Sequence, residues 1–410
     1  MALAARPHAA QDAATPAIAE GQTAAPPFTT GFQDGFYIQS ADGDYRLVFG
    51  LVAQADGRFA LGESRPIVDT FTLRKVRPTF TGHVAKYFDF KVMPDFGNGT
   101  TIVQDAYFDI RFSPKFRVRT GKDKTPIGYE LLIGDAYLLF PERSLASNLV
   151  PNRDLGVQVQ GDLAGGKLFY AAGVFNGIPD GSSSTTELDT NDSKDVAGRV
   201  VLQPFRSTHS TTTSGAASGL GFQVGGSHGQ QSGALPVFRT SIQQTFFAYA
   251  ATAVADGVRN RVTPAVFYYY KSFGGFAEYM RSAEPVTKGS TTTDVANHGW
   301  DATASFLLTG EAATDRIVRV KNAFDPATGH WGALQVLARA ADLHVDQAAF
   351  DAGLAAAGSS RDARQFTVGA NWYPNPYIKV YATFERTSFE GRAGTRSTET
   401  VILFRTQLGF

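Results

Sequence analysis

The chain contains no cysteine, which excludes disulfide staples, thiolate nucleophiles and cysteine metal sites together. It also lacks any stretch near the roughly 18 uninterrupted apolar residues of a membrane helix. The longest candidate, Phe246 to Ala255, is short and contains Tyr249 and Thr252. A dominant charge is missing too: 38 basic residues balance 38 acidic ones, so no global field points to nucleic acid or an acidic partner. Histidine is sparse, and His8, His83, His209, His228, His298, His330 and His344 show no His-Glu-x-x-His spacing. No nucleophile motif surrounds a serine such as Ser241. The run Gly219-Leu-Gly-Phe-Gln-Val-Gly225 lies inside a strand pattern with no helix after it, so it does not read as a dinucleotide loop. Neither an enzyme nor a bound cofactor or metal is expected.

What is present favours strands and turns. There are 42 glycines and 32 phenylalanines, and aromatics make up 12% of the chain. From Asp44 onward, period-2 segments bounded by turn residues recur at 45–59, 69–82, 86–95, 102–112, 116–123, 153–163, 167–176, 195–204, 219–228, 261–271, 274–285, 297–309, 330–341, 363–373, 377–388 and 398–410. They total sixteen, the even number a single-chain bacterial barrel requires. The segment 237–250 is placed in a long loop. Short joints at 83–86, 113–115, 164–166, 273–274 and 374–376 alternate with long ones at 125–152, 177–194, 229–260 and 343–362. Tight turns on one side and long loops on the other mark a membrane barrel. The joints 205–218 and 310–329 break that alternation. A mean hydropathy of -0.14 fits a barrel in which only alternate residues meet lipid.

The expected fold is all-β: a 16-stranded antiparallel transmembrane β-barrel over 35–410, with a third extracellular loop, 125–152, folded into the lumen. Residues 1–34, whose start is rich in Ala, Pro, Thr and Gln, read as a flexible tail and a possible remnant of an export signal. The final strand, Val401 to Phe410, alternates an apolar face (Ile402, Phe404, Leu408, Phe410) with one bearing Arg405 and Gln407. Phe410 is expected at the periplasmic rim, closing onto the first strand near Tyr45, and as a terminal aromatic it resembles the signal read by barrel-assembly machinery. Outward apolar residues would meet outer-membrane lipid.

Alternation sorts the charges. In the first strand Leu47, Phe49 and Leu51 face lipid, so Arg46, Asp56 and Arg58 face water. The same rule turns Lys75, Arg77, Asp89, Lys91, Asp95, Asp105, Tyr107, Asp109, Arg111, Arg117 and Arg119 inward, and later Arg199, Arg339, Lys379 and Arg405. Arg74 shares the outward parity, where a cation near the bilayer midplane costs about 2–4 kcal/mol, so it marks a rim or a register error. Lys122 and Lys124 follow where the fifth strand enters the third loop. Arginine forks and lysine charges attract anions, and rings of them make anion-selective constrictions. The plainer alternative is that these cations only neutralise the neighbouring aspartates.

Phe71-Thr-Leu-Arg-Lys-Val-Arg77, Asp105-Ala-Tyr-Phe-Asp109, Thr120-Gly-Lys-Asp-Lys-Thr-Pro-Ile-Gly128, Pro141-Glu-Arg143, Val150-Pro-Asn-Arg-Asp-Leu-Gly-Val157 and Gly173-Val-Phe-Asn-Gly177 occur in order. Arg261-Val-Thr-Pro264, Tyr268-Tyr-Tyr-Lys271 and Glu278-Tyr279 continue the series, which resembles the phosphate-selective porins (porin O and P family) of Gram-negative outer membranes. The resemblance covers most of 40–410. It implies a usually trimeric, water-filled channel for phosphate or related small anions, with Lys122, Lys124 and Arg143 in the constriction and Arg58, Lys75, Arg77 and Asp105 on the nearby wall. The third loop departs from a strongly basic pattern, since Arg143 stands beside Glu130, Asp135 and Glu142. Other readings are a general or carbohydrate-passing porin, and a barrel plugged by its loops that serves as an adhesin or structural anchor.

Overall fold

The structure, a computed structural model, describes residues 28–62, 65–184, 189, 191–206, 215–391 and 396–410. Residues 1–27 of the tail expected over 1–34, with His8, and also His209 lie outside them.

The strands are β1 (Phe28–Phe32), β2 (Phe36–Ser40), β3 (Arg46–Ala60), β4 (Thr70–Val84), β5 (Phe88–Asp95), β6 (Ile102–Ser113), β7 (Phe116–Lys124), β8 (Arg153–Leu163), β9 (Leu168–Phe175) and β10 (Asp195–Leu202). They continue as β11 (Leu220–Gly233), β12 (Val237–Arg239), β13 (Thr245–Ala248), β14 (Ala253–Tyr270), β15 (Phe273–Lys288), β16 (Thr291–Leu307), β17 (Ala333–His344), β18 (Asp362–Asn375), β19 (Ile378–Glu390) and β20 (Glu399–Gly409). Two short helices, α1 (Tyr129–Leu132) and α2 (Gln347–Asp351), lie in loops. From β3 to β11 and from β14 to β20 each strand pairs antiparallel with the next, and β20 pairs with β3 from Val401↔Ala60 to Gly409↔Val52. The result is a closed 16-stranded barrel, which removes every exposed sheet edge from its wall.

Period two runs along the wall as the sequence implies. Leu47, Phe80, Phe108, Val157, Phe222 and Phe404 are exposed outward, while Gln54, Asp56, Lys75, Arg77, Asp105 and Arg405 are buried on the inner side. Arg74 is the instructive exception. The β3–β4 register shifts between Gln54↔Lys75 and Ala55↔Leu73, so a bulge absorbs Arg74. A bulge leaves one extra residue on one strand and resets the alternation. Arg74 and Lys75 therefore both reach inward partners, Glu142 and Asp135. The outward position that simple parity assigns to Arg74 is corrected by this bulge.

The N-terminal region differs from expectation as well. Residues 28–40, whose first part was read as the end of a tail, form a β1–β2 hairpin, and β2 pairs with Arg46–Phe49 of β3. Phe410 consequently meets β3 at Leu51 instead of near Tyr45, exchanging main-chain hydrogen bonds of 2.9 and 3.0 Å with it. The hairpin covers the part of β3 that β20 is too short to reach. Phe32, Phe36, Phe49 and Phe410 cluster there, with ring centroids 5.1 to 6.5 Å apart. Asp34 in the hairpin turn pairs with Arg319 of the long 308–332 joint at 2.8 Å.

Long and short joints alternate with three departures. The 203–219 and 308–332 joints are long on the short-turn rim. On the other rim, β15 and β16 extend until only residues 289–290 separate them. The expected loop at 286–296 is strand because Val286 and Val295 point inward and are fully packed. The loop 234–252 carries its own small hairpin, β12–β13. Its Phe238, Phe246 and Phe247 join Leu131 and Leu145 of the 125–152 segment and Met280 of β15 in one buried cluster.

Candidate functional site

In the segment 125–152, Asp135 and Glu142 each meet a cluster of inward cations. Asp135 forms an ion pair with Lys75 Nζ at 3.0 Å, accepts from Arg143 Nη1 at 2.9 Å, is bonded to Arg77, and lies 3.8 Å from Arg153. Glu142 takes a two-point fork from Arg74 at 2.7 and 3.0 Å, a bond from Arg405 at 2.8 Å, and has Arg58 at 3.7 Å. Burial pushes both carboxyls up, but the surrounding charges outweigh it. Lys75, Arg77 and Arg143 hold Asp135, and Arg74 and Arg405 hold Glu142, well below the usual carboxylate range. Further ties run from the segment to other strands. Tyr129 N and Glu130 N donate to Glu278 of β15, Arg339 of β17 lies 3.3 Å from Glu130, and Lys379 of β19 donates to Leu138 O at 2.7 Å.

Lys124 ends β7. Its Nζ donates to the main-chain carbonyls of Leu131 at 2.5 Å and Ile133 at 2.9 Å. Arg143 Nη2 shares those carbonyls at 3.2 and 2.9 Å, so two cations converge on one short arc of backbone. Gly121, earlier on β7, lies close against β6. It has φ +120°, and a Cβ there would meet Ala106 O at 2.3 Å, so only glycine lets β7 pass β6 this closely.

A cavity of about 420 Å³ lies beside this arc, bounded by Val48, Gly50 and Phe410 at the short-turn rim and by Leu132, Gly134, Asp135 and Tyr137 of the segment. Six cationic side chains line it (Arg77, Lys91, Arg119, Lys124, Arg153 and Arg199), with four carboxylates (Asp34, Asp105, Asp123 and Asp135). A second cavity of about 380 Å³ is lined by Leu131, Glu142, Arg143, Asn152, Arg239 and Gln243. Neighbouring Leu131 and Leu132 thus line different cavities, and the segment stands between the two.

The residues singled out from the sequence are distributed as follows. Arg77, Lys91, Asp105, Tyr107, Arg119 and Lys124 share the larger cavity, and Arg143 lines the second. Lys91 pairs with Asp105 at 2.7 Å, and Arg119 pairs with Asp109 at 2.7 Å while its guanidinium lies 3.7 Å over the Tyr107 ring. Arg58 is buried against Asp56 at 3.0 Å, and Lys75 against Asp135. Arg111 and Arg117 sit at the short-turn rim, loosely paired with Asp89 at 3.6 Å and Asp162 at 3.9 Å, apart from the cavity. Lys122 donates to Ser184 O.

Three participants escaped the sequence reading. Asp135 and Glu142 looked like charges that weaken a basic loop; apart from Arg143, which pairs with Asp135, their partners lie too far away in sequence for spacing to reveal. Arg153, 2.6 Å from Asp105, sits at a strand–loop joint where alternation gives no direction.

No curated protein matches the chain by sequence. Solved structures share the fold. The outer membrane channel DcaP of Acinetobacter baumannii aligns over 91% of this chain and 99% of its own at 10% identity, with a TM-score of 0.57. An anion-selective porin from Comamonas acidovorans aligns over 89% and 99% at 13% identity and a TM-score of 0.54. OmpT of Vibrio cholerae, described in trimer form, aligns over 89% and 99% at 10% identity and a TM-score of 0.52. The family model for phosphate-selective porin O and P matches residues 50–410, nearly the whole chain. With a closed barrel, a polar interior and that match together, the chain belongs to the phosphate-selective porin O and P family and is an outer-membrane diffusion channel.

Proposed function

We propose that the barrel is an anion-selective, water-filled channel for phosphate or related small anions, narrowed by the segment 125–152 folded into its lumen. The observation that carries this reading is the charge around the larger cavity, six cationic against four acidic side chains. Lys124 is its focus. Among the described residues its Nζ is bonded to main-chain carbonyls and lies within 4 Å of no carboxylate. Arg143 on the other side of the segment would hand an anion across. The remaining cations largely neutralise aspartates, which supports a moderate preference rather than tight capture.

The long-loop rim would face outside and the rim with Phe410 the periplasm. Outward apolar side chains would contact outer-membrane lipid, and the paired terminal strand is available to assembly machinery. A homotrimer is supported by the trimer form of the Vibrio cholerae relative. A second reading, a barrel plugged by its loops as an adhesin or structural anchor, draws on the buried cluster joining 125–152, 234–252 and 345–361. Steady single-channel conductance in a planar bilayer would reject it, and a passage indifferent to ion charge would point to a general or carbohydrate-passing porin.

The test is the chloride current titrated with phosphate. Millimolar phosphate should reduce the current, and Lys124→Ala should weaken that block; an unchanged block in the variant would remove Lys124 from the binding site.

A further inference from the structure

We propose that the outer wall of β15 to β19, near the long-loop rim, binds the phosphate-bearing headgroup of an outer-leaflet lipid. The proposal rests on the orientation that puts the long-loop rim outside, and not on which ion the pore prefers. Among the described arginines of the sixteen barrel strands, Arg281, Arg364 and Arg386 alone alternate onto the outer wall. Each stands between two buried neighbours: Met280 and Ser282, Ala363 and Gln365, Glu385 and Thr387. All three fall within one run of five adjacent strands. His298 of β16 and His344 of β17 lie on the strands between them. Arg281 stands opposite His298 and His298 opposite His344, with the two rings 4.7 Å apart.

The depth of the patch fits a headgroup. Arg281, Arg364 and Arg386 lie eight, eleven and eight residues from Phe273, Asn375 and Ile378, the short-turn ends of their strands. At about 3.3 Å per residue and a tilt of roughly 40°, that raises them about 20–28 Å, to the upper edge of an apolar band about 25 Å tall. Tyr279 and Trp300 lie one outward step below Arg281 and His298, and Phe366 and Phe384 one step below Arg364 and Arg386. All four rings are exposed, as in the aromatic belt that marks a lipid interface. An arginine is costly on the lipid face at the midplane and nearly free at this level.

Charge selects the occupant. Arg281 and Arg386 are exposed and have no carboxylate within 4 Å among the described residues. Arg364 is held between Asp342 at 3.2 Å and Glu390 at 3.0 Å, and His344 pairs with the buried Asp362. Asp294 lies four residues nearer the rim on β16, opposite Pro285. The acids at the level of the patch are thus committed to Arg364 and His344, which leaves the two flanking arginines for an anion from outside. A guanidinium fork matches phosphate, and basic clusters at the membrane surface recognise anionic headgroups.

The purified full-length channel in a neutral maltoside detergent can be titrated with lipid A carrying both its phosphates and followed by native mass spectrometry. It should bind that lipid, and bind the dephosphorylated form more weakly. Arg281→Gln and Arg386→Gln should each raise the half-saturating lipid concentration about fivefold, the effect of one basic residue at an anionic lipid surface. Arg281→Lys and Arg386→Lys keep the charge and should bind nearly as the natural channel does, which separates lost charge from a folding defect. Arg65→Gln removes a cation from the β3–β4 joint on the same rim and should leave binding unchanged. Equal binding of the two lipid forms, or natural binding in both glutamine variants, would overturn the proposal. So would an equal weakening in Arg65→Gln, which would reduce the effect to net charge. A changed oligomeric state in the glutamine variants with lipid binding unaltered would make the face a contact between copies and overturn it too. The sign of the zero-current potential in a potassium chloride gradient should stay the same in every variant, because these side chains face away from the lumen.

Discussion

Glu142 is surrounded by Arg58, Arg74 and Arg405; without its carboxylate Arg58 and Arg405 would be left with Asp56, and Arg74 with no carboxylate within 4 Å among the described residues. Removing one member of a buried ion pair costs about 3–5 kcal/mol, because the partner charge stays buried. Glu142→Ala should therefore lower the unfolding free energy of the barrel by that order, read as a lower denaturation midpoint, and should make single-channel current noisier as 125–152 loses an anchor. The pH dependence has a definite sign. Asp135 and Glu142 have depressed folded values, so their contribution is complete above the ordinary carboxylate range near pH 4 and is lost as pH falls through the lower folded values. The anchoring that these two carboxylates give the segment 125–152 should therefore persist from pH 7 to about pH 4 and weaken only in stronger acid, read as the protection of the segment from proteolysis across that range. At this scale the sequence shows that cations face inward but not which acid each one meets. Lys124 and Arg143 were visible through their motif, whereas the pairing of Arg74 with Glu142 depends on a bulge and 68 positions of separation.

At the scale of elements, all sixteen barrel strands were legible because alternation and turn residues act locally. What alternation could not show was length set by packing. β14 begins at Ala253 and β15 runs to Lys288 because their ends are packed against loop residues. The β12–β13 hairpin follows the same logic, since three strands or a packing surface are needed to stabilise so small a pair. Phe247 is fully buried there, 5.5 Å from Phe238 and edge-on to Tyr249 at 4.9 Å. Phe247→Ala should cost about 3–5 kcal/mol, read as a lower melting temperature of the purified barrel with its strand content retained. Deleting residues 28–40 should also lower the melting temperature, since Arg46–Phe49 would lose their paired neighbour and Phe410 its ring contacts. An unchanged melting curve would show that the hairpin adds nothing to closure.

For the whole molecule, a chain with equal numbers of basic and acidic residues places more of the former around its larger cavity. Formal net charge is therefore no guide to selectivity; the positions of the charges are. Closure, strand number and the polar interior follow from sequence pattern, while the division between two cavities follows from long-range contacts of 125–152 that no local pattern encodes. In the proposed function the cations without a paired carboxylate, Lys124 foremost, make the pore prefer anions. The zero-current potential across a potassium chloride gradient should carry the sign of chloride passing more readily than potassium; the sign of potassium over chloride would rule anion preference out.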